Sequence, residues 1–298
     1  MKSRWVVSMT ERAHRKQTDV PADRVPEVAP YTSRFVEAGK LKLHYLDYGS
    51  EGLAPMLCVH GGAAHAHWFD YVAPGFTSDF HVRAVDLRGH GDSDWADPPV
   101  YSFEKYASDL DEVVQKLDLR DFVLIGHSMG GMVSLVYAAT HPGRVGRLVL
   151  VDTTMHMSKE SIGRLRDLGA RPAKDYATHD QLISRYRLQP EGPKLAASEV
   201  IRHVAAHSGR QTPEGTWRHK FDRSLYAIFE RLDGRPYWNH IKIPALLVKG
   251  EYSSRVNAEI LAEVKSRSSR VELVEVPNSD HHVTLDNPPG FADAVTAW

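Results

Sequence analysis

The stretch that decides the fold is Val123-Leu124-Ile125-Gly126-His127-Ser128-Met129-Gly130-Gly131. An apolar run, residues 122–125, leads straight into a serine with glycines two positions before and after it. A helical pattern, residues 129–141, follows at once. A serine at such a strand-to-helix corner takes a strained backbone and needs small neighbours for clearance. Its hydroxyl is then pushed out above the sheet, where a base can reach it. Taken alone, the pattern also describes an ordinary glycine-rich turn, so the surrounding chain has to decide.

Working outward, short apolar runs recur at 56–60, 81–86, 147–152, 245–250 and 271–276. None alternates, which marks strands buried on both faces, as in a parallel sheet covered by helices. Residues 103–117 and 129–141 read as helices between them. Upstream, 35–38 and 41–46 read as two strands joined at Gly39-Lys40. The rhythm predicts a doubly wound α/β fold with a mostly parallel sheet.

The rhythm breaks over 153–240, where no strand is predicted. Trp217, Phe221, Leu225, Ile228 and Leu232 fall at helical steps and predict one amphipathic helix. Leu182, Ile183 and Tyr186 predict a shorter one, and 195–204 another. A helical insertion between two sheet strands reads as a cap, because ligands of open α/β sheets bind beyond the carboxyl ends of the strands. A plain outer helical layer is the alternative. The expected organisation is an extension outside the fold at 1–30, a core from 31–152 and 241–298, and a cap from 153–240.

Composition narrows the function. The 298 residues carry 37 Lys and Arg against 38 Asp and Glu, a formal net charge of −1. That gives no electrostatic ground for binding nucleic acid or an anionic membrane. The apolar runs are too short to span a bilayer. The segment 1–30 is polar and broken by Pro21, Pro26 and Pro30, and Trp5-Val6-Val7 is too short for a signal-peptide core. The single cysteine, Cys58, lies inside an apolar run. It excludes an internal disulfide and suits a reducing, cytoplasmic compartment.

The chemically suggestive residues all follow predicted strand ends: His60-Gly61-Gly62, the loop 86–93, Ser128, Asp152, Glu251 and His281-His282. Convergence on one sheet edge is what a site needs. In this set and order the chain resembles the α/β-hydrolase family, in the branch with a helical cap. The resemblance covers 34–298. It rests on His60-Gly61-Gly62, on 86–93, on Gly126-His127-Ser128-Met129-Gly130-Gly131, and on His281 seven residues before Pro288.

The resemblance implies roles. Ser128 would be the nucleophile. A free hydroxyl is a weak one and needs a base; His281 is the candidate and His282 its rival. The backbone N–H groups of Gly62 and Met129 would stabilise the oxyanion. The family commonly has glycine before this histidine, where Asp280 stands here. In the loop 86–93, Arg88 and Asp92 would tie a tight structural turn. His127, beside the serine, would shape the pocket, and His65, His67, Trp68 and Phe69 would line its mouth.

The acid departs from the family's commonest pattern, an aspartate three residues past the glycine that ends the strand after the cap. Ser253 stands there and offers no charge. Asp152, at the end of the preceding strand, is favoured, with Glu251 as the alternative. The implied reaction is hydrolysis of a small to medium carboxylic ester or lactone in a mostly apolar pocket. No metal or organic cofactor is implied. The rivals are carbon–carbon bond hydrolysis or cofactor-free perhydrolysis on the same triad, and a hydrolase-like receptor with negligible turnover.

Overall fold

The computed structural model describes residues 27–230 and 232–298. Its centre is an eight-stranded sheet built from β1 (Thr32–Ala38), β2 (Leu41–Asp47), β3 (Ala54–Val59), β4 (Phe80–Val85), β5 (Phe122–His127), β6 (Val145–Val151), β9 (Ala245–Gly250) and β10 (Val271–Val276). The strand order is β1-β2-β4-β3-β5-β6-β9-β10. β2 pairs antiparallel with both β1 and β4, and every later pairing is parallel.

The unbroken apolar runs follow from two-sided burial. Leu57, Val59, Leu124, Leu148, Leu150 and Leu247 face one core layer. Their neighbours Met56, Cys58, Ile125, Val149, Val151 and Val248 face the other. Successive strand residues point to opposite faces, so a strand covered on both sides needs apolar residues throughout. Helices α1 (Phe103–Lys116), α2 (Met129–Thr140) and α7 (Ala258–Arg267) cover the first face. The last helix, α9 (Pro288–Ala297), covers the second. Ser102 and Asn257 cap α1 and α7 by accepting from Lys105 N–H and Ile260 N–H, satisfying amides that a helix start leaves unpaired.

Between β6 and β9 the chain forms α3 (Lys159–Ala170), α4 (His179–Arg185), α5 (Ser198–His207), the hairpin β7 (Gly209–Gln211) and β8 (Trp217–His219), and the single turn α6 (Ser224–Ala227). This corrects two expectations: that 153–240 holds no strand, since β7 and β8 pair, and that one helix runs through its apolar stripe. The stripe from Trp217 to Leu232 is not one helix, because Trp217 pairs with Gln211 in the hairpin. Helix α3 carries one fully buried apolar residue, Ile162, too weak a pattern to be read in advance.

The insert is fastened to the core by specific bonds. Lys220 and Gly89 carbonyls accept from Gly91 and Asp222 N–H, both at 2.7 Å. The Tyr101 hydroxyl donates to Asp222 at 2.6 Å. Val200, Val204 and Ala205 of α5 pack on Ala64, Trp68 and Tyr71 after β3. The extension expected at 1–30 lies outside the described residues through Pro26. Ala29, by contrast, is buried and donates its N–H to the Asp70 carbonyl at 3.1 Å.

Candidate active site

Ser128 occupies the corner between β5 and α2 with φ 53° and ψ −115°, a left-handed conformation that side chains rarely adopt. That twist has a chemical consequence. A serine before a helix normally turns its hydroxyl onto the first amides, but Ser128 makes no such cap. Its N–H donates to the Val151 carbonyl at 2.9 Å, which pins the corner. Glycine provides the clearance. A Cβ on Gly126 would lie 2.5 Å from the Gly130 carbonyl oxygen, and one on Gly130 would lie 2.2 Å from that of His60.

His281, in the loop after β10, donates its Nδ1–H to Asp152 Oδ2 at 2.7 Å. That tautomer leaves Nε2 with a free lone pair. Asp152 follows β6, is fully buried, and has φ 44°. Ser253 Oγ–H donates to the same oxygen at 2.9 Å, and Arg255 Nε stands 3.5 Å from it. Burial, with Arg255 and His282 nearby, pushes the His281 imidazole well below its ordinary value. Burial also raises the Asp152 carboxyl, against the hydrogen bond from Ser253.

His127 joins the serine corner to this loop, because its Nε2–H donates to the His281 carbonyl at 2.8 Å. Burial keeps His127 well below its ordinary pKa, so it is neutral and acts as a strut. His282 is committed elsewhere: its Nε2–H donates to the Pro190 carbonyl of the insert at 3.0 Å. Glu251 is exposed, and its carboxylate accepts from Asn278 N–H at 2.8 Å, so the alternative acid stands outside the His281 cluster.

The oxyanion candidates lie beside the serine. A Cβ on Gly61 would stand 3.3 Å from Ser128 Cβ, and one on Gly62 3.6 Å from Met129 Sδ. The Met129 N–H opens α2 and is one of the amides a helix leaves without an internal acceptor, at its partially positive end. His60 shapes the Gly61-Gly62 loop, donating from Nδ1 to the Gly61 carbonyl at 2.7 Å and accepting at Nε2 from Leu87 N–H at 3.0 Å. The hydroxyl of Tyr226, on α6, stands 2.9 Å from where a Gly62 Cβ would be. Sequence reasoning missed Tyr226, because a lone aromatic in a segment without motifs carries no signal.

A cavity of about 650 Å³ opens from this point into the insert. Gly62, His65, Trp68 and Tyr226 line it. His65 also donates from Nε2 to the Val204 carbonyl at 3.0 Å, and Trp68 stacks on His127 with centroids 5.8 Å apart. Phe69 belongs instead to the core layer under the sheet. His67 is also drawn off the mouth: its Nδ1–H donates to Asp70 Oδ2 at 2.9 Å, and His203 donates to that oxygen at 2.6 Å. Together with His207 these residues bring ligand atoms within 4.8 Å of one another. Tyr48 donates to the other Asp70 oxygen at 2.7 Å, so the carboxylate joins core and insert through hydrogen bonds.

The loop 86–93 is tied differently from expectation. Asp86 is its knot, accepting from Ala66 N–H, Asp92 N–H and His44 Nδ1–H at 2.6, 2.9 and 2.7 Å. Arg88 reaches out to Asp109 of α1, and Asp92 to Lys220 of the insert.

Residues 54–288 match the family defined by the alpha/beta hydrolase fold. The chain belongs to the alpha/beta-hydrolase family. This hydrolase is 39% identical over 263 residues to a serine hydrolase-like protein of Danio rerio, covering 81% of the chain and 80% of that relative. It is 29% identical to 2-(acetamidomethylene)succinate hydrolase of Mesorhizobium japonicum, covering 89% of the chain and 94% of the relative. Among solved structures, an esterase of Mycobacterium tuberculosis superposes with a TM-score of 0.70 at 26% identity, covering 97% of this chain and 95% of that one. Among the described residues no helix is long and apolar enough to cross a membrane.

Proposed function

We propose that this hydrolase cleaves a carboxylic ester through an acyl-enzyme on Ser128, with His281 as base and Asp152 as acid. The observation that carries the reading is the 2.7 Å bond from His281 Nδ1–H to buried Asp152. It fixes the tautomer whose Nε2 can accept the Ser128 proton and return it to the leaving alcohol. Attack puts negative charge on the carbonyl oxygen, and the Gly62 and Met129 amides receive it. Water, activated by the same imidazole, then releases the acid. The insert acts as a cap that limits access to a small or medium ester or lactone, the proposed partner. The lone buried thiol, Cys58, supports a reducing, cytoplasmic setting.

The test pairs a fluorophosphonate probe with p-nitrophenyl esters of increasing acyl length. The parent should be labelled and should turn over the short esters. Ser128→Ala should lose labelling and about 10⁶-fold in kcat. Labelling that persists in Ser128→Ala would place the nucleophile elsewhere. Labelling of the parent without turnover of any ester would defeat the esterase reading and leave a carbon–carbon hydrolase, a perhydrolase or a receptor.

A further inference from the structure

The cavity lining combines two chemically different groups of residues. One neutral group in its lining is Gly62, Trp68 and Tyr226, with Gly62 following Gly61, which packs against Ser128. The cavity's other lining residues include Arg171, Lys174, Arg185, Arg187 and Arg223, all from the insert. Among the described residues none of these five forms an ion pair with a carboxylate. Arg223 and Arg187 donate only to backbone carbonyls, and Lys174 lies over the Tyr176 ring at 5.3 Å. Arg218 and Lys220 also line the cavity, but each is matched by an aspartate outside it, Asp175 and Asp92. Among the described residues the only acidic one in the lining is Asp222, which already accepts from the Tyr101 hydroxyl.

This is not the charge of the chain at large, which is balanced at 37 against 38. More of the lining is apolar than polar, as expected from sequence, but the charged side chains set into it are nearly all cations. A cleft lined by one sign of charge focuses the field and raises the local concentration of oppositely charged ligands. Guanidinium groups present a planar fork that fits carboxylate and phosphate oxygens. A substrate held by both Ser128, beside Gly61 and Gly62, and the insert's cations has its scissile carbonyl on the core side of the cavity and its charge against the insert.

We propose that the hydrolase selects esters or thioesters bearing an anionic group, carboxylate or phosphate, remote from the scissile carbonyl, and that the insert's unpaired Arg and Lys side chains bind it. The inference rests on the ester-hydrolase reading and names the substrate class for that site. The charge can sit on the acyl side or on the leaving group, and the two are separable.

The experiment compares matched pairs. Mono-p-nitrophenyl adipate against p-nitrophenyl hexanoate places a carboxylate on the acyl side. Butyryl-coenzyme A against S-butyryl-N-acetylcysteamine places phosphates on the leaving group. In at least one pair the charged member should win by about tenfold in kcat/KM at low salt, the scale of several exposed charge pairs acting together. That ratio should fall towards one at high ionic strength, where the screening length shrinks to a few ångströms. The double substitution Arg185→Gln and Arg187→Gln should lower the same ratio several-fold. Parity in both pairs at low salt, with the neutral members turned over, would overturn the inference and leave the ester-hydrolase reading standing. No turnover of any member and no fluorophosphonate labelling would instead overturn the reading beneath it.

Discussion

Ser253 Oγ donates a 2.9 Å hydrogen bond to the Asp152 oxygen that also accepts from His281 Nδ1–H. The position from which the family usually supplies its acid therefore still faces the histidine's partner. In the proposed triad the carboxylate is Asp152, at the end of the neighbouring strand, and the Ser253 hydroxyl hydrogen-bonds it. Asp152→Asn should cost about 10⁴-fold in kcat, the scale of losing a triad acid. Adding Ser253→Asp to that variant should restore at least a part of the loss, read as kcat on a short ester. Glu251→Gln should stay within about tenfold of the parent, because its carboxylate serves Asn278. A crippled Glu251→Gln with a tolerant Asp152→Asn would move the acid to the later strand.

The two neighbouring histidines should separate cleanly. His281→Ala removes the proposed base and should approach the loss expected for Ser128→Ala. His282 bonds the Pro190 carbonyl of the insert, so His282→Ala should act mainly on KM. Steady-state kinetics of both variants decide it, and a reversed order of severity in kcat would make His282 the base.

The pH profile follows from burial. A base must be neutral to accept a proton, and the His281 imidazole is held well below its ordinary value. The acid limb of kcat/KM, which reports the free enzyme, should therefore fall below about pH 6.5, the unperturbed value for histidine. Ser253→Ala removes a bond that lowers the Asp152 pKa. It should weaken the acid and reduce activity most at low pH. A limb at or above the ordinary histidine value would contradict the burial argument.

How much of this was legible depended on the physics of each segment. Two-sided burial makes a parallel strand apolar throughout, so 56–60, 122–126 and 245–250 stood out without any knowledge of topology. The corner at Ser128 was legible because Gly126 and Gly130 are demanded by contacts that leave no room for a Cβ. The insert was misread because its apolar residues were counted across a break. Thr212 and Thr216 close the hairpin turn, whose Gly215 has φ 84°, and the helical spacing from Trp217 onward crosses strand, loop and a single helical turn. Ser253 could be noticed only as a missing acid. That it donates to Asp152 depends on a pairing of strands that no local pattern encodes.

Stability should carry a separate signature from Asp286, in α8 (Val283–Asp286). Burial, with Asp280 nearby, pushes its carboxyl up to about 7. Between the unfolded value near 4 and that figure the folded state holds a proton that the unfolded chain has released. Stability attributable to this group therefore falls as pH rises through the window and levels off above it. Asp286→Asn should remove that slope, since its side-chain oxygen can still accept from Asp280 N–H. The Tm of the variant relative to the parent should climb from pH 4 to pH 8, by about 2–4 °C for each kcal/mol of linkage. A constant difference across that range would show that the carboxyl titrates normally.

His281 meets Asp152 across a sequence separation of 129 residues, and His127 across 154. Contacts that distant are closed only after the intervening chain has been placed, at an entropic cost that local structure does not repay. If Asp152 and His281 are the acid and base proposed above, a ribosome releasing this protein exposes the serine corner and the acid long before the base has been synthesised. The nascent chain can thus bury its first strands while remaining chemically inert. On the proposed triad, reactivity should appear only when the last strand docks and its loop reaches back, which would make the onset of labelling at Ser128 a clock for completion of the fold.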